Sequence, residues 1–124
     1  MKAVFRQIVL EILTSRVASA NRALWDIYRN HIQDIDHESL PIPLRDKLLE
    51  VKQLIIERFE ANIDNNHRHN GRATRDEVRR AMLGEHVRTA DGWGVSSFAD
   101  PLNSLPYSTA KKIKEHLFDI YEAL

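Results

Sequence analysis

An arginine-rich stretch holds the side chains of this sequence that are best suited to binding a partner. Residues 65–90 carry six arginines, no lysine and three acidic residues, which gives this stretch a net charge of +3. The planar guanidinium of arginine can bind a carboxylate or a phosphate through two parallel hydrogen bonds, which a lysine ammonium cannot do. We predict a basic contact surface for an acidic protein or a nucleic acid, formed by Arg72, Arg75, Arg79, Arg80, His86 and Arg88.

This basic stretch also has a simpler interpretation. On a helix, Arg75, Arg79 and His86 would lie on one face, because their spacing is close to whole turns. That face could be solvated, with its arginines paired locally to Asp76 and Glu77. The sequence alone does not decide between a solvated helix face and a partner-contact surface.

Trp93 is the second candidate for partner binding. It lies between two glycines, and Phe98 follows it closely in the sequence. A tryptophan in such a turn either closes the end of a helical bundle or anchors a partner from an exposed position. We favour the plug, although tryptophan and arginine are the residues most often found in binding hot spots.

Two weaker patterns would make the protein an enzyme. Arg80 and His86 have the spacing used by some small helical ribonucleases that need no metal, but twelve arginines and six histidines give about two such matches by chance. Asp64, His67 and His69 could offer a carboxylate and two imidazoles to Zn²⁺, although their spacing matches no zinc signature. We therefore predict no cofactor and keep a ribonuclease or a metal-dependent hydrolase as minor alternatives.

A further acidic pair, Glu57 and Glu60, has half the pattern of a Mg²⁺ site. No second acidic pair follows at a suitable distance. We interpret both glutamates as part of a solvated helix face.

The overall composition excludes several classes of protein. Lysine and arginine together number 18, as do aspartate and glutamate, so the formal net charge is zero, and there is no cysteine. The balance argues against a general polyanion binder, and the missing thiols exclude a disulfide scaffold. No stretch is long and apolar enough for a membrane span, and Arg6 and Glu11 interrupt the apolar run that a signal peptide would need. We expect a cytoplasmic protein.

The apolar residues predict an all-α fold of four to five helices in one domain, residues 1–124. Residues 1–40 contain neither glycine nor proline. One helix of about 30 residues would be about 45 Å long, whereas a domain of this size has a radius of gyration of about 14 Å. We therefore predict a break near Thr14–Ser15 or Ser19–Asn21. The alternative, one long helix packed on a second subunit, leaves a homodimer open.

The remaining helices are marked by prolines, glycines and capping residues. A second helix is predicted over residues 43–63, followed by a polar loop over 64–71. Thr74 and Glu77 form a capping box for a third helix that stops at Gly84. The last helix starts at Ser108 or Thr109.

Between the last two helices lies an irregular loop, residues 85–107. A loop of that length without structure of its own is uncommon in a compact domain. Asp91-Gly92 is typical of a type I′ turn, so a small hairpin is one way to fill it.

Taken together, these patterns predict a small non-enzymatic protein–protein interaction module. Such a module would be an adaptor, an inhibitor or immunity-type protein, or a helical subunit of a larger complex. The first alternative is a nucleic-acid-binding subunit that uses residues 68–88. The sequence does not identify the partner.

Overall fold

The structure, a computed structural model, describes residues 1–15, 20–69, 71–95 and 100–124. The long regular elements of these ranges are α-helices, which confirms the predicted all-α class: α1 (Lys2–Thr14), α2 (Ala20–Ile27), α3 (Ile42–His69), α4 (Arg75–Met82) and α5 (Tyr107–Ala123). A π-helical turn, Tyr28–Ile32, continues α2, and a 3₁₀ turn, His37–Ser39, precedes α3. None of the helices in these ranges combines the length and the apolar character needed to cross a bilayer.

The first helical segment breaks at Thr14–Ser15, as predicted. The Thr14 hydroxyl donates a hydrogen bond to the Leu10 carbonyl at 2.6 Å, and Ser15 turns to extended backbone with ψ 129°. A threonine bonded back in this way disturbs the last turn of a helix. The single long helix is therefore wrong, while the other predicted break includes Ser19, which lies outside the described residues.

The core forms around α3. This helix contacts α5, α4 and the two short turns, while α1 packs against α5 and α2. Most of the fully buried large side chains come from α1, α3 and α5, and α2, the π-helical turn and the turn before α5 add Leu24, Ile32 and Leu102: the larger group is Phe5, Ile8, Leu48, Val51, Ile55, Ile63, Ile113, Leu117 and Ile120. The apolar stripe of α3, whose helical spacing predicts the second helix, faces the core: Leu44, Leu48, Val51, Ile55, Phe59 and Ile63 are all buried.

The polar loop predicted over residues 64–71 is wrong in its first part, because α3 continues to His69. Asp64 forms an ion pair with Arg75, and the His67 Nδ1 is 2.9 Å from the Ala73 carbonyl. These contacts with the chain that leads into α4 stabilise two more helical turns. Tertiary contacts have here outweighed a weak local propensity.

Both ends of α4 follow the prediction. The Thr74 hydroxyl accepts from the Glu77 N–H at 3.1 Å, and the Glu77 carboxylate accepts from the Thr74 N–H at 2.8 Å, which completes the capping box. At the other end Gly84 takes a left-handed φ of 94°. Its N–H bonds the Ala81 carbonyl, and the next N–H bonds the Arg80 carbonyl, as in a Schellman motif.

The last part of the predicted 85–107 loop is an ordered turn tied to α3. The Asn62 side chain is buried and donates from Nδ2 to the carbonyls of Pro101 and Asn103, both at 2.9 Å. Leu102 packs in the core beside this turn. The last helix then begins at Tyr107, one residue before the predicted start.

Candidate partner-binding surface

The chain from Val87 to Val95 folds as a minimal hairpin. The Val95 N–H donates to the Val87 carbonyl at 2.9 Å, and the Thr89 N–H donates to the Trp93 carbonyl at 2.8 Å. A single antiparallel bridge lies between these two bonds. The hairpin that the sequence left open is therefore present in this reduced form.

The turn of this hairpin differs from the predicted type I′. A type I′ turn needs a positive φ at both central residues, but Gly92, at φ 89°, has one and Asp91 does not. The Gly92 N–H instead donates to the Thr89 carbonyl at 3.0 Å. The result is a three-residue loop that ends in a left-handed glycine.

The side chain of Thr89 stabilises the tip of the hairpin through hydrogen bonds within the turn. Its buried hydroxyl accepts from the Trp93 N–H at 3.1 Å and donates to Asp91 Oδ1 at 2.5 Å. That hydrogen bond, together with the Asp91 backbone N–H and the charge of Arg72, lowers the pKa of Asp91 below its usual value. The turn is thereby fixed by side-chain as well as backbone hydrogen bonds.

Trp93 is exposed at this tip and does not close the bundle. Its side chain is 56% exposed, and the Arg72 guanidinium carbon lies 4.2 Å from the centre of its ring. The plug interpretation is therefore wrong, and the tryptophan that packs in the core is Trp25. Arg72 and Trp93 form a stacked pair on the surface, which we call the hairpin pair.

Arg75 and Arg79, two further predicted contact residues, are partly exposed and form ion pairs with α3. Arg75 Nε lies 2.6 Å from Asp64 Oδ1, and Arg75 also pairs with Glu60. Arg79 binds Glu60 with two hydrogen bonds of 2.8 and 3.1 Å. The predicted pairing within the first turn of α4 is replaced by pairing between helices.

Glu60 is the residue that sequence reasoning missed in this cluster. It was interpreted as part of a solvated face, yet its carboxylate joins both arginines. A signal was present, because Glu60 and Asp64 are four residues apart, as are Arg75 and Arg79. Two carboxylates with this spacing on one helix can form ion pairs with two arginines of the same spacing on a helix that packs against it.

The charge of Glu60 should stabilise the protein in a pH-dependent way. The hydrogen bond from Arg75, with a further one from Arg79, lowers the pKa of Glu60 below its ordinary value of 4.5, against the opposing effect of burial. We expect Glu60→Gln to lower the free energy of unfolding by about 1 kcal/mol at pH 7, a modest loss because the pairs are partly solvated. Denaturant unfolding at several pH values measures this difference.

The sign of the pH dependence follows from the lowered pKa. The stabilisation is complete above pH 4.5 and is lost as the pH falls through the lower folded-state pKa, so wild type and variant should converge in acid. Glu57→Gln is the matched control, since Glu57 is exposed and bonds only Gln53 in the described contacts. A constant difference between Glu60→Gln and wild type down to pH 3 would contradict this role.

The remaining predicted contact residues are divided between two environments. Arg80 Nε binds the carboxylate of Glu85 at 3.2 Å. His86 and Arg88 are exposed and line a surface groove of about 480 Å³ together with Val87 and Val95. Phe98 was also predicted to bind the partner, and it lies outside the described residues.

The two enzyme alternatives gain no assembled site. The structure gives Arg80 a carboxylate partner, Glu85, rather than His86. His67 and His69 stand about 200° apart around α3, so they cannot converge on one ion with Asp64. In the part of the chain that the structure describes, no three His, Asp or Glu side chains are grouped so as to hold a metal ion.

Comparison with known proteins returns no match. No protein-family model fits the chain, and no curated protein or solved structure is significantly similar to it. The geometry of the hairpin pair is thus the basis on which a function can be inferred.

Proposed function

We propose that this protein is a small non-enzymatic protein–protein interaction module that captures its partner through the hairpin pair, Arg72 and Trp93. It would act in the cytoplasm as an adaptor, an inhibitor or immunity-type protein, or a subunit of a larger assembly. The observation that carries the proposal is the exposed, stacked indole of Trp93. Tryptophan and arginine dominate the energetics of most interfaces that have been dissected by alanine scanning.

The hairpin pair is organised before any partner arrives. The Thr89 hydroxyl holds the Trp93 backbone, and the Arg72 guanidinium lies over its ring. Ordering a free side chain on binding costs about 0.5–1.5 kcal/mol. Because the backbone of Trp93 is held and its ring already has one contact, part of this cost is met in the free protein, and more of the contact energy of the indole is available for affinity.

The surroundings of Trp93 indicate the chemistry of the partner surface. Arg72, Arg88 and His86 are exposed near the tip in sequence, and Arg88 also donates to the Gly92 carbonyl at 3.3 Å. We infer an apolar pocket for the indole with carboxylates at its rim. A homodimer, which the sequence left open, stays a prediction.

Nucleic acid is the alternative partner. An exposed tryptophan beside arginines can stack on bases. However, Arg75, Arg79 and Arg80 are paired with carboxylates, so the region presents less free positive charge than its sequence suggests. This self-neutralisation favours a protein partner.

Replacing Trp93 with alanine should remove partner capture while leaving the fold intact. A hot-spot tryptophan contributes at least about 2 kcal/mol, so affinity should fall about 30-fold or more. Affinity purification with mass spectrometry from the native cell extract, repeated for Arg72→Ala, measures the loss. The thermal unfolding temperature should stay close to that of wild type, because the side chain is exposed.

Tyr107→Ala is the matched control, since Tyr107 is an exposed aromatic residue at the start of α5. The control should retain every partner that wild type captures. Capture of the same proteins by Trp93→Ala and wild type would contradict the proposal. Repeating the capture after nuclease treatment and across a salt series separates the alternative, since phosphate contacts make log affinity fall steeply and linearly with log salt.

A further inference from the structure

A recess on another part of the surface lies between the α2 region and α3. It has a volume of about 260 Å³, below the 300–1,000 Å³ of most ligand pockets, so it has room for a single ring or a short branched chain. Its lining residues come from α2, the π-helical turn, α3 and the end of α4. The hairpin pair is not part of it.

The inner wall of the recess is aromatic. The rings of Trp25 and Phe59 are 4.8 Å apart with a tilt of 34°, and Tyr28 lies 5.7 Å from Trp25. All three side chains are largely buried, while Ile56, also in the lining, is partly exposed. An apolar group entering the recess would therefore contact aromatic rings and a branched aliphatic chain.

The charged residues that line the recess are cationic on balance. They are Arg29, Arg79 and Glu60, a net charge of +1. Arg79 and Glu60 already satisfy each other. Arg29 is exposed, lies 5.9 Å from the centre of the Trp25 ring, and forms no ion pair among the described residues.

The backbone beside the recess is unusual as well. The turn Tyr28–Ile32 is π-helical, with the Gln33 N–H donating to the Tyr28 carbonyl at 2.9 Å. Single π-helical turns are rare in proteins, and many of those that are known lie at functional sites. Here the turn places Tyr28, Arg29 and Gln33 together around the recess.

From the aromatic wall, the unpaired arginine and the π-helical turn together, we propose that this recess binds a small organic anion with an apolar body, such as an aryl-substituted alkanoate. The apolar body occupies the space beside Trp25, Phe59 and Ile56. The carboxylate accepts hydrogen bonds from the Arg29 guanidinium, the form of pairing for which arginine is suited.

The test uses 3-phenylpropionate as the probe and 3-phenylpropan-1-ol as its uncharged analogue. Titration of the ¹⁵N-labelled full chain is followed by amide chemical shifts. We expect saturable shifts centred on residues 28–33 and 56–60. The alcohol should bind about tenfold more weakly, because it lacks the charge-assisted hydrogen bond.

Variants distinguish binding at a defined site from non-specific binding of the probe to the protein surface. Arg29→Gln should weaken 3-phenylpropionate about tenfold, while Arg6→Gln, at an exposed arginine on α1, should leave its affinity unchanged. Trp93→Ala should also leave the titration unchanged, because the hairpin pair is a separate site. Equal binding of acid and alcohol, equal binding by Arg29→Gln and wild type, or the absence of saturable shifts would each overturn the proposal.

Discussion

Replacing Asn62 with leucine should lower the free energy of unfolding by about 2–4 kcal/mol. The Asn62 amide lies in the core and donates to two carbonyls, those of Pro101 and Asn103. Leucine has the same branched arrangement of side-chain heavy atoms, although it is larger, and it has no donor, so the carbonyls of the buried Pro101 and the exposed Asn103 would both lose their partner. A buried polar group left unsatisfied costs about 1–3 kcal/mol. Denaturant unfolding followed by circular dichroism measures the loss.

Asn65→Leu provides the matched control on the same helix. Asn65 is exposed, and a surface substitution of this kind changes stability by about 0.5 kcal/mol at most. If Asn62→Leu were as stable as Asn65→Leu, the turn over residues 100–105 would not depend on the Asn62 amide. A loss confined to the variant at position 62 would instead show that this amide holds the turn against α3.

Replacing Phe5 with alanine should be still more costly, at about 3–5 kcal/mol. The Phe5 side chain is fully buried, and α1, which carries it, packs against α5 and α2. Removing the ring leaves a cavity that the surrounding side chains fill only in part. Thermal and denaturant unfolding should both show the loss.

Leu13→Ala tests whether the loss of stability comes from the burial of the Phe5 side chain and not from any truncation on α1. Leu13 lies on the same helix but is 68% exposed, so its truncation should change stability by about 0.5 kcal/mol at most. Equal destabilisation by the two variants would contradict the packing of α1 described above.

The elements that could be predicted from sequence are those specified by local chemistry. The apolar stripe of α3, the Thr74–Glu77 capping box and the stop at Gly84 depend on residues within a few positions of one another. These three features are set before the helices meet. The break was predicted differently, from the conflict between the length of one helix and the size of the domain, and that conflict left two positions open, Thr14–Ser15 and Ser19–Asn21.

The features that could not be predicted depend on how distant elements meet. Glu60 resembles any solvated glutamate until α4 places Arg75 and Arg79 beside it. Trp25 is not singled out by any of the sequence patterns above, yet it is buried against Phe59 of α3. Trp93 shows the reverse, because its glycine neighbours are compatible with both a plug and an exposed tip.

The pairing of α4 with α3 also has a consequence for the way in which a partner arrives. Over residues 60–90, six arginines are opposed by five carboxylates, a net charge of +1, so this region has only a weak electrostatic field in solution and does little to steer a charged molecule from a distance. Encounters then occur by unguided collision, at about 10⁵–10⁷ M⁻¹s⁻¹ for typical protein pairs. Under the proposed function, selectivity would then arise after contact, through the time for which the indole of Trp93 retains a partner.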